Sequence, residues 1–382
     1  MRRKIVRFVL APLAVLVIMV ILGGGWYFSS VLEEDGLRVD NSAPENTVTV
    51  IDISETRITL QLLPDAEESY LTISARWGIT DGVNYGRLGD VLSKTKTQVT
   101  REFEPVLGGF QIGDQLYLDR TSFPHDPSAE GLDYEEVVIP GSIGDFGAWR
   151  LGFTSQATYL DSTSDVWAIF VHGRTSNKES SMKLFNLPGV HSLAIDYRND
   201  EGAPPSESGY YDFGTTEWED VEAAVQYALD NGAEKIVLVG FSMGGGVVVN
   251  YQLKSELASH TIGMVLDSPM LNFGKTVDKG AEERGVPAPI TFVAKAFATM
   301  RYGIDWDALD FLSKASDIDV PVLLIHGEAD TTVPIETSYI FAGENPEMVK
   351  LYSFENVGHV AAWNWHPTEY RGLVQEFVER IR

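Results

Sequence analysis

The stretch KIVLVGFSMGGGVVVNY, Lys235 to Tyr251, decides how the rest of the chain is read. Ile236 to Val239 is short, apolar and largely β-branched, which is the pattern of a buried strand. From Gly245 onward the apolar run reads as a helix packed on that strand. Ser242 stands between them, flanked by Gly240 and Gly244. Glycines on both sides permit close backbone approach and an otherwise strained conformation at the serine. That is the pattern of a nucleophile elbow, G-x-S-x-G. Five residues alone leave a second reading open, a glycine-rich turn with an incidental serine.

Strands alternate with helices on both sides of this stretch. YEEVVIPG and AWRLGFT read as an opening β-pair. VWAIFVHG, SLAIDYR, KIVLVGFS, GMVLDSP, VPVLLIHG and VKLYSFEN follow, several of them continuous apolar runs expected of strands covered on both faces. TTEWEDVEAAVQYALDNGA is the clearest helix, with Thr216 and Glu219 as a capping box and DNG as its stop. The alternation predicts an α/β fold with a mostly parallel eight-stranded sheet and helices on both faces. Ligands of such sheets bind at the C-terminal strand ends. Ser242 follows the fifth strand, Asp330 the seventh in HGEADTTVP, and His359 the last in ENVGHVAAW. A serine hydroxyl needs a base, and the base an orienting acid. Ser242, His359 and Asp330 are therefore the candidate nucleophile, base and acid, with Asp267 in LDSP as reserve acid. His172 and His326 each precede a glycine at a strand end, where they shape the turn. The backbone N–H groups of Met243 and Arg174 are the candidate oxyanion donors.

These residues resemble the α/β-hydrolase superfamily over about residues 132–382. The likeness is carried by the elbow GFSMGG, the oxyanion loop VHGR, the acid loop HGEADTTVP and the histidine loop VGHV. IFVHGR, AIDYRND, TEWEDVEAAVQYAL and LDSP, with the N-terminus described below, are similar to membrane-anchored actinobacterial cell-envelope α/β-hydrolases. The resemblance implies that the long insert at about 271–316 forms a cap over the nucleophile. Within it, Phe292, Ala296 and Met300 make an apolar stripe at spacing four, expected to pack on the domain or to line an acyl pocket.

The N-terminus sets the location. MRRKIVR is basic, and Phe8 to Phe28 carries no charge, about the length that spans a bilayer as a helix. The basic flank predicts a cytoplasmic N-terminus and an extracytoplasmic catalytic domain. No small-residue cleavage site is evident, so an uncleaved anchor is expected over 1–30. Residues 31–126 alternate without a catalytic motif and read as a β-rich membrane-proximal domain, followed by the hydrolase at 127–382.

Composition excludes several functions. The net charge of -26 repels phosphate backbones and argues against nucleic-acid binding. With no cysteine, there is no disulfide, no thiol nucleophile and no Cys-ligated zinc. The expected chemistry is a serine hydrolase of the carboxylic ester type, needing no metal or organic cofactor. Its partners are a lipid or small-molecule ester and the membrane. An acyltransferase or serine peptidase would use the same three residues, and a non-catalytic envelope scaffold is the reading of a different class.

Overall fold

The computed structural model describes residues 2–382 except 65, 67, 152–164 and 186, and of residues 2–11 and 69 the backbone alone. The side chains of the basic flank, and the end of the expected second strand from Gly152, lie outside the described residues.

The chain begins with α1, Arg2–Leu32, continued by a π-helical turn to Leu37. Pro12–Leu37 is long and apolar enough to cross a membrane, a property that anchors and signal sequences share. Six strands then close into a small barrel: β1 Val48–Ile53, β2 Arg57–Leu62, β3 Trp77–Thr80, β4 Tyr85–Lys94, β5 Gln98–Leu107 and β6 Gln115–Asp119, ordered 1-2-5-4-3-6. Alternate residues such as Val48, Val50, Ile58 and Leu60 fill its interior. Closure leaves no free edge on so short a sheet. Buried Arg101 donates to the carbonyls of Leu71, Ala75 and Gly89, and burial lowers its pKa to about 10.

The larger sheet has eight strands: β7 Tyr134–Pro140, β8 Asp145–Leu151, β9 Val166–Val171, β10 His191–Ile195, β11 Lys235–Phe241, β12 Thr261–Asp267, β13 Val322–Gly327 and β14 Val349–Phe354. Their order is 14-13-12-11-9-10-8-7. β7 and β8 pair antiparallel at one edge, and β9 to β14 run parallel. This is the expected α/β-hydrolase fold. The helices are α2 Trp218–Asp230, α3 Met243–Lys254, α4 Phe273–Glu283, α5 Ala288–Tyr302, α6 Glu336–Glu344, α7 Ala362–Trp365 and α8 Pro367–Ile381. Strand periodicity splits the core in two. Ile236 and Leu238 face α2 and α3, whereas Val237, Val239 and Phe241 share a core with α8 and the barrel.

Two local expectations fail. The capping box at α2 does not form, because both side chains have other partners. Thr216 donates to Asp212, and Glu219 accepts from Arg198 and Ser142. Buried Glu217 closes the turn instead, accepting the N–H groups of Asp212 and Gly214. The stripe on α5 is also inverted. Phe292 and Met300 are 75% and 79% exposed, because the opposite side of α5 meets α1.

The barrel is bound to the hydrolase through α7. Asn364 donates to the carbonyls of Arg76 and Arg120, its own carbonyl accepts from the Arg76 N–H, and Trp363 packs on Phe123.

Candidate active site

Ser242 ends the turn from β11 into α3 with φ 51° and ψ -117°. A non-glycine residue reaches that region only when its surroundings enforce it. Here the Ser242 N–H donates to the Asp267 carbonyl, and its own carbonyl accepts from Met270. The turn is tight enough that a Cβ on Gly240 would lie 2.6 Å from the Gly244 carbonyl oxygen.

The three residues expected from strand order converge. His359 Nε2 lies 2.8 Å from Ser242 Oγ, and His359 Nδ1 lies 2.7 Å from Asp330 Oδ2. The other Asp330 oxygen accepts the N–H groups of Thr332 and Val333 at 2.8 and 2.9 Å. Burial opposes ionisation of Asp330, but hydrogen bonds from His326 and His359 outweigh it. The carboxyl is held well below the usual range.

Sequence reasoning gave His326 a turn-shaping role and missed its contact with the acid. Its Nε2 donates toward Asp330 Oδ2 at 3.1 Å and the Val333 carbonyl at 3.2 Å, which leaves Nδ1 to accept from Ser338. The signal was available: His326 and Asp330 lie four residues apart across a turn. The reserve acid, Asp267, does not join this group. It is buried against Lys183 and accepts from Tyr370 Oη at 2.8 Å.

Met243 opens α3, where the first helical N–H groups lack intrahelical acceptors. Gly173 approaches so closely that a Cβ on it would sit 2.9 Å from Ser242 Cβ, and the next residue, Arg174, lines the same cavity as the serine. His172 holds this turn as expected, with Nδ1 on the Gly173 carbonyl and Nε2 on Asp200, both at 2.9 Å. The Arg174 side chain is half-buried at the cavity wall.

A cavity of about 380 Å³ opens on Ser242. Met243, Arg174, Phe213 and Met270 line it from the sheet side, and Phe273, Val277, Thr291 and Ala294 from the cap. Another wall is formed by Phe28, Val31, Leu32, Asp35 and Gly36 of the N-terminal helical segment, and Thr331 to Val333 line it as well. Among the described residues, one cluster has metal-ligand spacing: His172, Asp196 and Asp200, with ligand atoms within 4.8 Å of one another. Its atoms are already engaged, since both His172 nitrogens have partners and Asp196 pairs with Lys178 at 2.6 Å.

Residues 168–373 match the profile of the Alpha/beta hydrolase family. The chain belongs to that family. This α/β-hydrolase is 24% identical over 211 residues to the lysophosphatidylserine lipase ABHD12 of Danio rerio, covering 50% of either chain. It is 26% identical over 251 residues to the AB hydrolase superfamily protein YisY of Bacillus subtilis, covering 55% of this chain and 90% of that one. Among solved structures, the Pyrococcus furiosus esterase Pf2001 matches with TM-score 0.51 and 26% identity, over 68% of this chain and 94% of the esterase. The α/β-hydrolase thus spans about half the length of the lipase it matches. The likeness to actinobacterial envelope hydrolases rests on the sequence phrases alone.

Proposed function

We propose that the chain is a membrane-anchored serine hydrolase of carboxylic esters, acting on a lipid or glycolipid ester of the cell envelope. The observation that carries this is the continuous relay Ser242–His359–Asp330 at the floor of a largely apolar cavity. Ser242 Oγ attacks the ester carbonyl carbon as its proton passes to His359 Nε2. Asp330 fixes the imidazole by accepting from Nδ1–H and stabilises the cation that forms. The carbonyl oxygen becomes an alkoxide held by the N–H groups of Met243 and Arg174. His359 returns the proton to the departing alcohol, leaving an acyl-serine. Water repeats the sequence, giving up a proton to His359 and releasing the acid and free Ser242. The basic N-terminal flank supports a cytoplasmic N-terminus and a catalytic domain outside the membrane.

Two experiments test this reading. The full chain in detergent should be labelled by a fluorophosphonate and should hydrolyse short soluble esters. Ser242→Ala should lose both while keeping its melting temperature, and retained turnover would remove Ser242 from its role. Protease treatment of intact cells should digest the large domain; protection would reverse the proposed orientation.

A further inference from the structure

The cap and the N-terminal helix meet at an unusually close crossing. A Cβ on Gly25 would lie 2.9 Å from Val293 Cβ, and one on Gly24 3.1 Å from Ile290. Small residues let helix backbones approach in this way. Trp26 packs edge-on against Phe297, with ring centroids 5.4 Å apart, and the Arg301 guanidinium lies 4.1 Å from the Trp26 ring. Arg301 also donates to the hydroxyls of Ser29 and Ser30, at 2.6 and 2.8 Å. Along α5 these contacts run from Ile290 to Arg301, roughly 16 Å; along α1 they run from Gly24 to Ser30, roughly 9 Å. The helices therefore cross obliquely, at the level where the uncharged stretch ends in Trp26, Tyr27 and Phe28.

The outer face of α5 carries no charge. Ala288, Pro289, Phe292, Ala296, Thr299 and Met300 are all exposed, in a chain of net charge -26. Leu16 to Val20 and Leu22 on α1 are exposed apolar residues as well. Acidic groups begin one turn beyond the crossing, at Glu33, Glu34 and Asp35.

The cavity runs between these two levels. Its α1 wall, Phe28, Val31, Leu32, Asp35 and Gly36, recurs at the spacing of one helical face. Asp35 lines the cavity together with Arg174, Ser242 and Met243. Phe28, seven residues earlier and roughly 10 Å along the helix, marks the end toward the apolar span.

We propose that the anchor is itself a wall of the substrate site, and that the Ala288–Met300 face of α5 rests in the bilayer surface. The acyl chain of a membrane-resident lipid ester then passes from the bilayer along Phe28, Val31 and Leu32 to Ser242 without crossing water. The substrate class is an amphiphile with its ester near the headgroup level. This rests on the ester-hydrolase reading, but its first test is independent of activity.

Because the chain has no cysteine, single cysteines at Phe292, Met300 and, as a control, Glu347 can each carry one fluorophore. Glu347 is exposed before β14, at the end of the sheet opposite Ser242. In phosphatidylcholine vesicles holding the full chain, labels at 292 and 300 should be quenched by lipid-borne quencher, and the label at 347 by aqueous iodide only. Iodide-only quenching at all three positions would overturn the proposal. The second test compares two esters, a long-chain monoacylglycerol in the vesicles and a soluble butyrate ester. Phe292→Asp with Met300→Asp should slow the first at least tenfold and leave the second unchanged. No loss on either ester, or equal loss on both, would overturn it. If the parent processes neither ester and takes no fluorophosphonate, the hydrolase reading fails, while the quenching pattern still decides where α5 lies.

Discussion

Asp330 and Asp267 lie after neighbouring strands, yet their surroundings give them different work. Asp330 accepts from His359 and from two backbone N–H groups; Asp267 faces the buried ammonium of Lys183. Asp330→Asn should therefore reduce kcat by roughly 10⁴-fold, and should also lower melting above about pH 4, where the native carboxylate is ionised. Asp267→Asn should leave the rate of the remaining folded protein nearly unchanged, while Lys183, buried without its counter-charge, costs about 3–5 kcal/mol. Steady-state rates and thermal melts of the two variants separate these outcomes. A stability loss at Asp330 without a rate loss would reassign the acid. The strand-end rule made Ser242, Asp330 and His359 legible, since each lies on a loop after its own parallel strand. It was silent on His326, whose contact with the carboxylate depends on the path of the turn and not on strand order.

At the scale of elements, the elbow has no room for a side chain beside the serine. Gly240→Ala would press a methyl group into the Gly244 carbonyl and the Gly245 backbone. Overpacking of that kind typically costs about 1–3 kcal/mol, and here it would also move Ser242. The variant should melt lower and lose fluorophosphonate labelling; unchanged labelling would mean the turn has more latitude than its geometry indicates. The helix α5 shows where pattern reading stops. Its apolar stripe was legible, but spacing alone does not say whether a stripe faces a core or leaves it. The answer lay in Gly24 and Gly25, more than 260 residues earlier, where α1 takes the other side of α5. The same distance in sequence hid the contribution of Phe28 and Leu32 to the cavity, although their helical spacing continues past the end of the uncharged run.

Across the whole molecule, the balance of buried acids sets a stability profile. Burial, reinforced by nearby Asp212, raises the Glu217 carboxyl to about 7. A carboxyl that holds its proton longer when folded gives stability that is full below its unfolded value, near 4.5, and lost as pH rises through about 7. The difference corresponds to about 3 kcal/mol. Asp330 has the opposite sign: its contribution is present above its unfolded value of 3.8 and lost as pH falls toward its depressed folded one. The combined contribution of these two groups is greatest near pH 4–5. Thermal melts from pH 4 to 8 should decline, and Glu217→Gln, which removes the titrating proton and keeps an acceptor for one of the two N–H groups, should melt lower but flatten the decline. A parent whose melting temperature rises over that range would contradict the assignment. The sheet was legible in the sequence because its strands are continuous apolar runs; closure of the barrel was not, because it depends on β1 meeting β6 rather than on any one strand.

The tie between the barrel and α7 has a consequence for how the enzyme matures. The barrel, residues 48–119, leaves the ribosome long before His359 is made, and domains tend to fold in order of synthesis. The histidine loop is followed within five residues by Asn364, which fastens to Arg76 and Arg120 on that earlier surface. On the proposed reading, the nascent chain carries Ser242 for more than a hundred residues before His359 is made. With folding in order of synthesis, the loop bearing His359 would settle beside Ser242 only against a barrel already in place, and the chain would stay silent until then.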